Sequence, residues 1–238
     1  MVTATTQRMR KIAACISAYN EEDTIGAVLE KTIPLVDELI VVDDGSKDDT
    51  GLIAEDFGAL VIHHSRNLGK GVSLRHCLDT AAEMNIDIVA TLDADGQHDP
   101  DEIPLLIQPI ETAAADIVVG SRIVSGNAMR SMDLVTLASN SAVSYLLSTR
   151  YGGNLTDVQT GYRAFSKAAL RRLLPHLRST RFEIELEIIC KARMLGMTLK
   201  EVPVTVHKRE GGRTKFSFPL RLRSLCFAVK YALSPEAT

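Results

Sequence analysis

Five short apolar runs, each ending in a polar cluster, dominate the first 120 residues and leave little freedom in the fold. Residues 12–17, 38–43, 59–63, 87–92 and 116–120 read as strands. Residues 21–33, 48–57, 70–84 and 100–111 between them read as helices. Near-continuous apolar strands alternating with helices specify an α/β fold, a mostly parallel sheet flanked by helices on both faces. Ligands of such sheets bind beyond the carboxyl ends of the strands. The residues there are polar: Ser17-Ala18-Tyr19-Asn20-Glu21-Glu22, Asp43-Asp44-Gly45-Ser46, Asn67-Leu68-Gly69-Lys70-Gly71, Asp93-Ala94-Asp95-Gly96-Gln97-His98 and Gly120-Ser121-Arg122. One such cluster is usually a turn or a helix cap. Five along one sheet edge point to a site.

Beyond residue 120 the pattern loosens. A long apolar helix is expected over 131–149, broken by Gly152-Gly153-Asn154, then helices over 166–174 and 181–195. A strand over 198–207 contains Pro203, which places it at a sheet edge or bulge. An amphipathic helix is expected over 220–233. The chain reads as a single domain of 238 residues, with 45% hydrophobic and 24% charged residues, which excludes disorder, collagen and coiled coil. The start lacks the apolar core of a signal peptide. The longest uncharged run, 134–149, falls short of the ~20 residues of a membrane helix. Four cysteines without CxxC spacing read as buried reduced thiols of a cytosolic protein.

Charge divides the chain. Residues 1–120 hold 8 Lys and Arg against 22 Asp and Glu, whereas residues 121–238 hold 19 against 8. An acidic half suits metal ions, and a basic half suits phosphates or a membrane surface. Nucleic acid is not expected, because the basic half lacks stacking aromatics and named motifs.

Asp93 and Asp95, two residues apart after a strand, can share a hard divalent cation with Gln97, Mg²⁺ or Mn²⁺ by ligand type. The alternative is a capped turn before Pro100. Asp43-Asp44-Gly45-Ser46 is an Asx turn, a ribose- or base-binding loop, or both. Lys70 stands between glycines at a helix start, where backbone N–H groups attract anions.

AYNEE (18–22), VVDDGSxDxT (41–50), NxGKG (67–71) and DADGQHxP (93–100) resemble, in order and spacing, glycosyltransferase family 2 with the GT-A fold. Gly120-Ser121-Arg122, DVQTGYRAF (157–165), EVPV (201–204) and REGGRTK (209–215) resemble its polyprenyl-phosphate branch, the dolichyl-phosphate mannose or glucose synthase-like group. The resemblance implies metal-dependent, inverting transfer of a hexose from a nucleoside diphosphate sugar, GDP-mannose or UDP-glucose, to polyprenyl phosphate. It makes residues 1–120 the donor half and 121–238 the acceptor half.

Carried over residue by residue, it assigns the metal to Asp93, Asp95 and Gln97. The nucleotide sugar falls to Ala18, Tyr19, Asn20, Glu21, Asp43 and Asp44, together with Lys70, Asp93, Ala94, Arg209 and Lys215. Arg122, Arg130 and Ser139 would hold the acceptor phosphate. Asp95, Asp157, Arg122 and Arg209 form the catalytic set. Asp157 is a base, a charge partner for an arginine or a loop cap. Relatives often carry a basic residue shortly before the equivalent of Ser139, and 132–138 contains none. The helices over 131–149 and 220–233 each read as packed on the core or facing lipid. The implied setting is peripheral, on the cytoplasmic face of a membrane, with a membrane-anchoring subunit as a possible partner.

Overall fold

The structure is a computed structural model and describes residues 10–126, 132, 134–207 and 226–231. Its elements in chain order are β1 (Ile12–Ala18), α1 (Glu22–Thr32), β2 (Glu38–Asp43), α2 (Thr50–Asp56), β3 (Leu60–His63) and α3 (Lys70–Glu83). Then come β4 (Ile88–Asp93), α4 (Ile103–Glu111), β5 (Ile117–Ser121), α5 (Leu134–Tyr151) and β6 (Arg163–Ser166). The last are α6 (Lys167–Leu173), α7 (Ile184–Met194), β7 (Leu199–Pro203) and a helical segment, α8, over 226–231.

One seven-stranded sheet runs in the order β3-β2-β1-β4-β6-β5-β7. All pairs are parallel except those of β6, which is antiparallel to both β4 and β5. Successive side chains on a strand face opposite sides. Ala13 and Cys15 therefore join a core under α3, α5, α6 and α7, while Ala14 and Ile16 join one under α1, α2 and α4. Burial on both faces is why the middles of β1, β2, β4 and β5 are near-continuous apolar runs. Their carboxyl ends share one edge, which brings the polar clusters together.

The structure corrects the sequence reading in four places. β6 was not expected, since it has four residues and begins with an arginine, yet it is central. The expected helix over 100–111 splits into a 3₁₀ turn (Pro100–Glu102) and α4, because Pro104 supplies no N–H. The strand over 198–207 stops at Pro203 on the sheet edge, and Val206 pairs instead with His98. Cys15, Cys77 and Cys190 are buried, but Cys226 is exposed. Most of the helix expected over 220–233 lies outside the described residues.

Candidate active site

The loops after β1, β2 and β3 are stitched by side chains accepting backbone N–H groups. Asn20 has a left-handed backbone, and its Oδ1 accepts from Lys47 N at 2.9 Å while its own N–H donates to Ser46 Oγ at 2.9 Å. Asp43 Oδ1 accepts from Ser46 N at 2.9 Å, closing the Asx turn. Asp44 is buried; it accepts from Leu68 N (2.8 Å), Gly69 N (2.9 Å) and His64 Nδ1 (2.7 Å). Its carboxylate thus ties the 67–71 loop to the end of β2. Glu21 N donates to Thr50 Oγ1 at 2.8 Å, and Ala18 O accepts from Asp44 N at 2.8 Å. Tyr19 is half-buried beside them.

The glycines flanking Lys70 answer a steric demand. A Cβ at Gly71 would lie 2.5 Å from Ser179 O, and one at Gly69 2.5 Å from Thr180 O. Lys70 is thereby held at the first turn of α3 with its ammonium inside a row of charges. Nζ lies 2.7 Å from Asp93 Oδ1 and 3.2 Å from Glu185 Oε1. Glu185 Oε2 in turn meets Nη2 of the fully buried Arg163 at 3.2 Å. Burial alone would pull the Lys70 ammonium down, but the two carboxylates raise it above its ordinary value. Burial alone would lift the Asp93 carboxyl, but Lys70, aided by Arg122, holds it below the usual carboxylate range. Both stay charged. Gly161 leaves room for them, since a Cβ there would come within 2.8 Å of Lys70 Nζ.

The 93–98 loop is pinned from three sides. Ala94 O accepts from Thr24 Oγ1 on α1 at 2.8 Å. Asp95, 9% exposed, accepts from Gln97 N at 3.1 Å. Gln97 Nε2 donates to His207 O at 3.4 Å, and Gln97 O accepts from His207 N at 2.8 Å. His98 Nδ1 accepts from Asp93 N at 3.2 Å, and its ring stacks on Tyr162 with centroids 4.8 Å apart. Burial drops the His98 pKa to about 4, so the ring is neutral. Among the described residues no group of three or more His, Cys, Asp or Glu could hold a metal ion. The donors present are Asp93, Asp95 and the Gln97 amide oxygen. Such a set suits Mg²⁺ or Mn²⁺, which commonly bind one or two carboxylates and complete their shell with substrate phosphates and water.

At the end of β5 a second charged pair forms. Asp157, fully buried, accepts from Arg122 Nε (2.6 Å), Nη2 (2.7 Å) and backbone N (3.1 Å), and from Asn140 Nδ2 on α5 (3.1 Å). Glu201 on β7 accepts from Asp157 N and Thr156 N at 2.9 and 2.8 Å, fixing this loop from behind. Burial pushes the Glu201 carboxyl up. Ser139 is half-buried, and its Oγ donates to Thr136 O at 3.0 Å. Arg130, Arg209 and Lys215 lie outside the described residues.

The model of glycosyl transferase family 2 matches residues 13–174. The chain belongs to this family. It is 36% identical over 207 residues to the UDP-N-acetylglucosamine–dolichyl-phosphate N-acetylglucosaminyltransferase of Methanococcus voltae, covering 79% of this chain and 82% of that one. It is 32% identical over 215 residues to the undecaprenyl-phosphate mannosyltransferase of Micrococcus luteus, covering 87% and 88%. Its fold is also that of glucosyl-3-phosphoglycerate synthase from Mycobacterium tuberculosis solved with UDP, with a TM-score of 0.76 at 24% identity over 95% of this chain and 81% of that one. Crystals of that protein hold Mn²⁺ with UDP-glucose. The sheet with its flanking helices is thus the GT-A arrangement, and this family 2 chain is a glycosyltransferase.

The structure brings Lys70 and Asp93 together, and Arg122 and Asp157. It adds residues the sequence reading did not single out: Glu185, Arg163, Asn140, His98 and Glu201. His98, Arg163 and Glu201 fall inside the quoted motifs without a role assigned to them, whereas Asn140 and Glu185 lie outside every motif; Glu185 is the middle of Glu183, Glu185 and Glu187 in an otherwise apolar stretch. All three are buried.

Proposed function

We propose that this family 2 enzyme transfers one hexose, with inversion, from a nucleoside diphosphate sugar to polyprenyl (dolichyl-type) phosphate. The observation that carries the reading is the Arg122–Asp157 pair at the end of β5, one strand away from Lys70 and Asp93 at the end of β4. A guanidinium held from one side by a carboxylate keeps other N–H groups for a phosphate. The 36% and 32% identical relatives, whose names specify dolichyl and undecaprenyl phosphate, support it.

In this reading the loops of residues 18–22, 43–46 and 67–71 cup the nucleotide, with GDP-mannose and UDP-glucose the donors to test. Asp43 and Asp44 shape that cup, because their oxygens are engaged with the loops themselves. Asp95, Asp93 and Gln97 would hold Mg²⁺ or Mn²⁺, which supplies positive charge to the diphosphate leaving group. Lys70, and Arg209 and Lys215 further along the chain, add cationic charge to the same group. Arg122, Arg130 and Ser139 hold the acceptor phosphate. An oxygen of that phosphate attacks the anomeric carbon as the bond to the nucleotide's outer phosphate breaks. Four donors fill the lone pairs of Asp157. It therefore orients Arg122, and the acceptor, already ionised at neutral pH, needs no strong base. The enzyme works at the cytoplasmic face of a membrane.

The test is incubation with labelled nucleotide sugar, Mn²⁺ or Mg²⁺, and polyprenyl phosphate. A chloroform-soluble labelled product is expected. The absence of a basic residue in 132–138 favours a second reading, transfer to a soluble phosphorylated acceptor. A product that stays in water with such an acceptor would establish it, and no product with any donor would end both.

A further inference from the structure

Helix α5 is inverted relative to an ordinary surface helix. Its buried side carries Asn140 and Ser144 beside Val143 and Leu147. Its open side carries Leu134, Val135, Ala138, Ala142 and Tyr145, at the 3- and 4-residue spacing of a single helical stripe, with the small hydroxyl residues Ser141 and Thr149 on the same side. Leu134 is 69% exposed, Val135 57% and Tyr145 74%. No charge interrupts 134–149. A surface helix normally shows the reverse, with polar residues outward. Contiguous apolar exposure marks a contact surface.

We propose that this stripe is the face by which the protein docks on a lipid bilayer. The proposal deepens the lipid-acceptor reading and rests on it. Two observations select a bilayer. The first is area: an 18-residue helix is about 27 Å long and about 10 Å wide, so its open face covers roughly 300 Å². A stable dimer buries about 800 Å² on each partner. A bilayer accepts an amphipathic stripe of this size without a matching surface. The second is charge. The half of the chain that contains α5 holds 19 Lys and Arg against 8 Asp and Glu. Beside α5 packs α8, where Tyr151 Oη donates to Tyr231 O at 2.9 Å and Ala228 shares a core with Val143 and Leu147. There Val229 and Lys230 are exposed, an apolar residue next to a cation. Anionic headgroups favour that combination, and tyrosine is at home at the headgroup level.

The geometry gives the face a purpose. The same helix that presents the stripe contributes Asn140 to the Arg122–Asp157 pair from its other side. A lipid phosphate reaching Arg122 would then enter beside the helix that rests on the bilayer.

The test is flotation of the full chain with vesicles of phosphatidylglycerol and phosphatidylcholine, with no donor and no acceptor. Wild type is expected to float, and less so with phosphatidylcholine alone. The double variant Leu134→Glu/Tyr145→Glu should partition on the order of tenfold or more less well, since two partly inserted apolar side chains are lost. Leu52→Glu, at an exposed position on α2, should float like wild type. Tyr145→Ser is the milder variant should the double one melt early, and it should show a smaller loss. Wild type that stays at the bottom, or stripe variants that float unchanged, would overturn the proposal. So would a wild-type dimer in light scattering that the stripe variants split, because the face would then belong to a second copy. A chain that floats through this stripe yet transfers no hexose to polyprenyl phosphate defeats the function reading alone.

Discussion

Lys70 occupies the first turn of α3, where the helix dipole disfavours a cation. Asp93 and Glu185 overcome that penalty, and Arg163 pairs with Glu185 in turn. Glu185→Gln leaves Arg163 buried without its counter-charge and should cost about 3–5 kcal/mol, read as a lowered urea midpoint. Lys70→Met leaves two carboxylates facing each other, so nucleotide binding followed by calorimetry should weaken along with stability. Asp95 belongs to a loop and not the core. Asp95→Ala should lower turnover by on the order of 10²–10³-fold, far more than the small drop in melting temperature from losing its bond to Gln97 N accounts for. Activity surviving that change would remove Asp95 from the metal site. His98 carries a signed pH effect. The folded ring titrates near about 4, and an unfolded histidine near ~6.5. The unfolded chain therefore takes up the proton first, so this contribution is intact above pH ~6.5 and is lost as the pH falls toward about 4. His98→Phe should flatten that limb of a melting-temperature profile.

At the scale of elements, backbone contacts should matter more than side-chain ones. Gly71→Ala drives a methyl into Ser179 O, which cannot yield, whereas Gly161→Ala meets the movable end of Lys70. The first should cost about 2 kcal/mol or more by urea titration, and the second less stability but more nucleotide affinity. β1, β2, β4 and β5 were legible because burial on both faces writes an apolar run of strand length. β6 was not, because Arg163 interrupts any such run and its justification, Glu185, lies on a distant helix. The site divides the same way. Asp93, Asp95, Gln97 and Lys70 sit in short polar loops with recognisable spacing. Asn140 and Glu201 belong to the site only through tertiary contacts with the loop of residues 156–157. The open face of α5 escaped a periodicity reading because the run is uncharged all the way round, so nothing in the sequence separates its two sides.

Across the whole molecule, the acidic and basic halves of the chain share one sheet, in which β6 of the basic half lies between β4 and β5 of the acidic half and β7 lies beyond β5. If the acidic half holds the donor, a single nucleotide should stabilise the protein in a metal-dependent way. The gain is about 2.7 kcal/mol at a hundredfold excess over its dissociation constant. A thermal-shift panel of GDP and UDP sugars with and without Mn²⁺ reads this directly, and no shift with any donor would leave a nucleotide-binding half without its ligand. The sheet order also sets a schedule. β1 to β4 can pair as soon as they leave the ribosome, because each neighbour precedes it or follows closely. β5 cannot join them, since the strand that links it to β4 is β6, synthesised only after the whole of α5. Until then β4 and β5, both buried and apolar in the finished sheet, are open edges. The loop ends that carry Asp93 and Arg122 come into register only when Arg163 slots between their strands. Insertion of β6 thus brings the two charged pairs of the candidate site alongside each other and covers the free edge of β4, while the outer edge of β5 waits for β7.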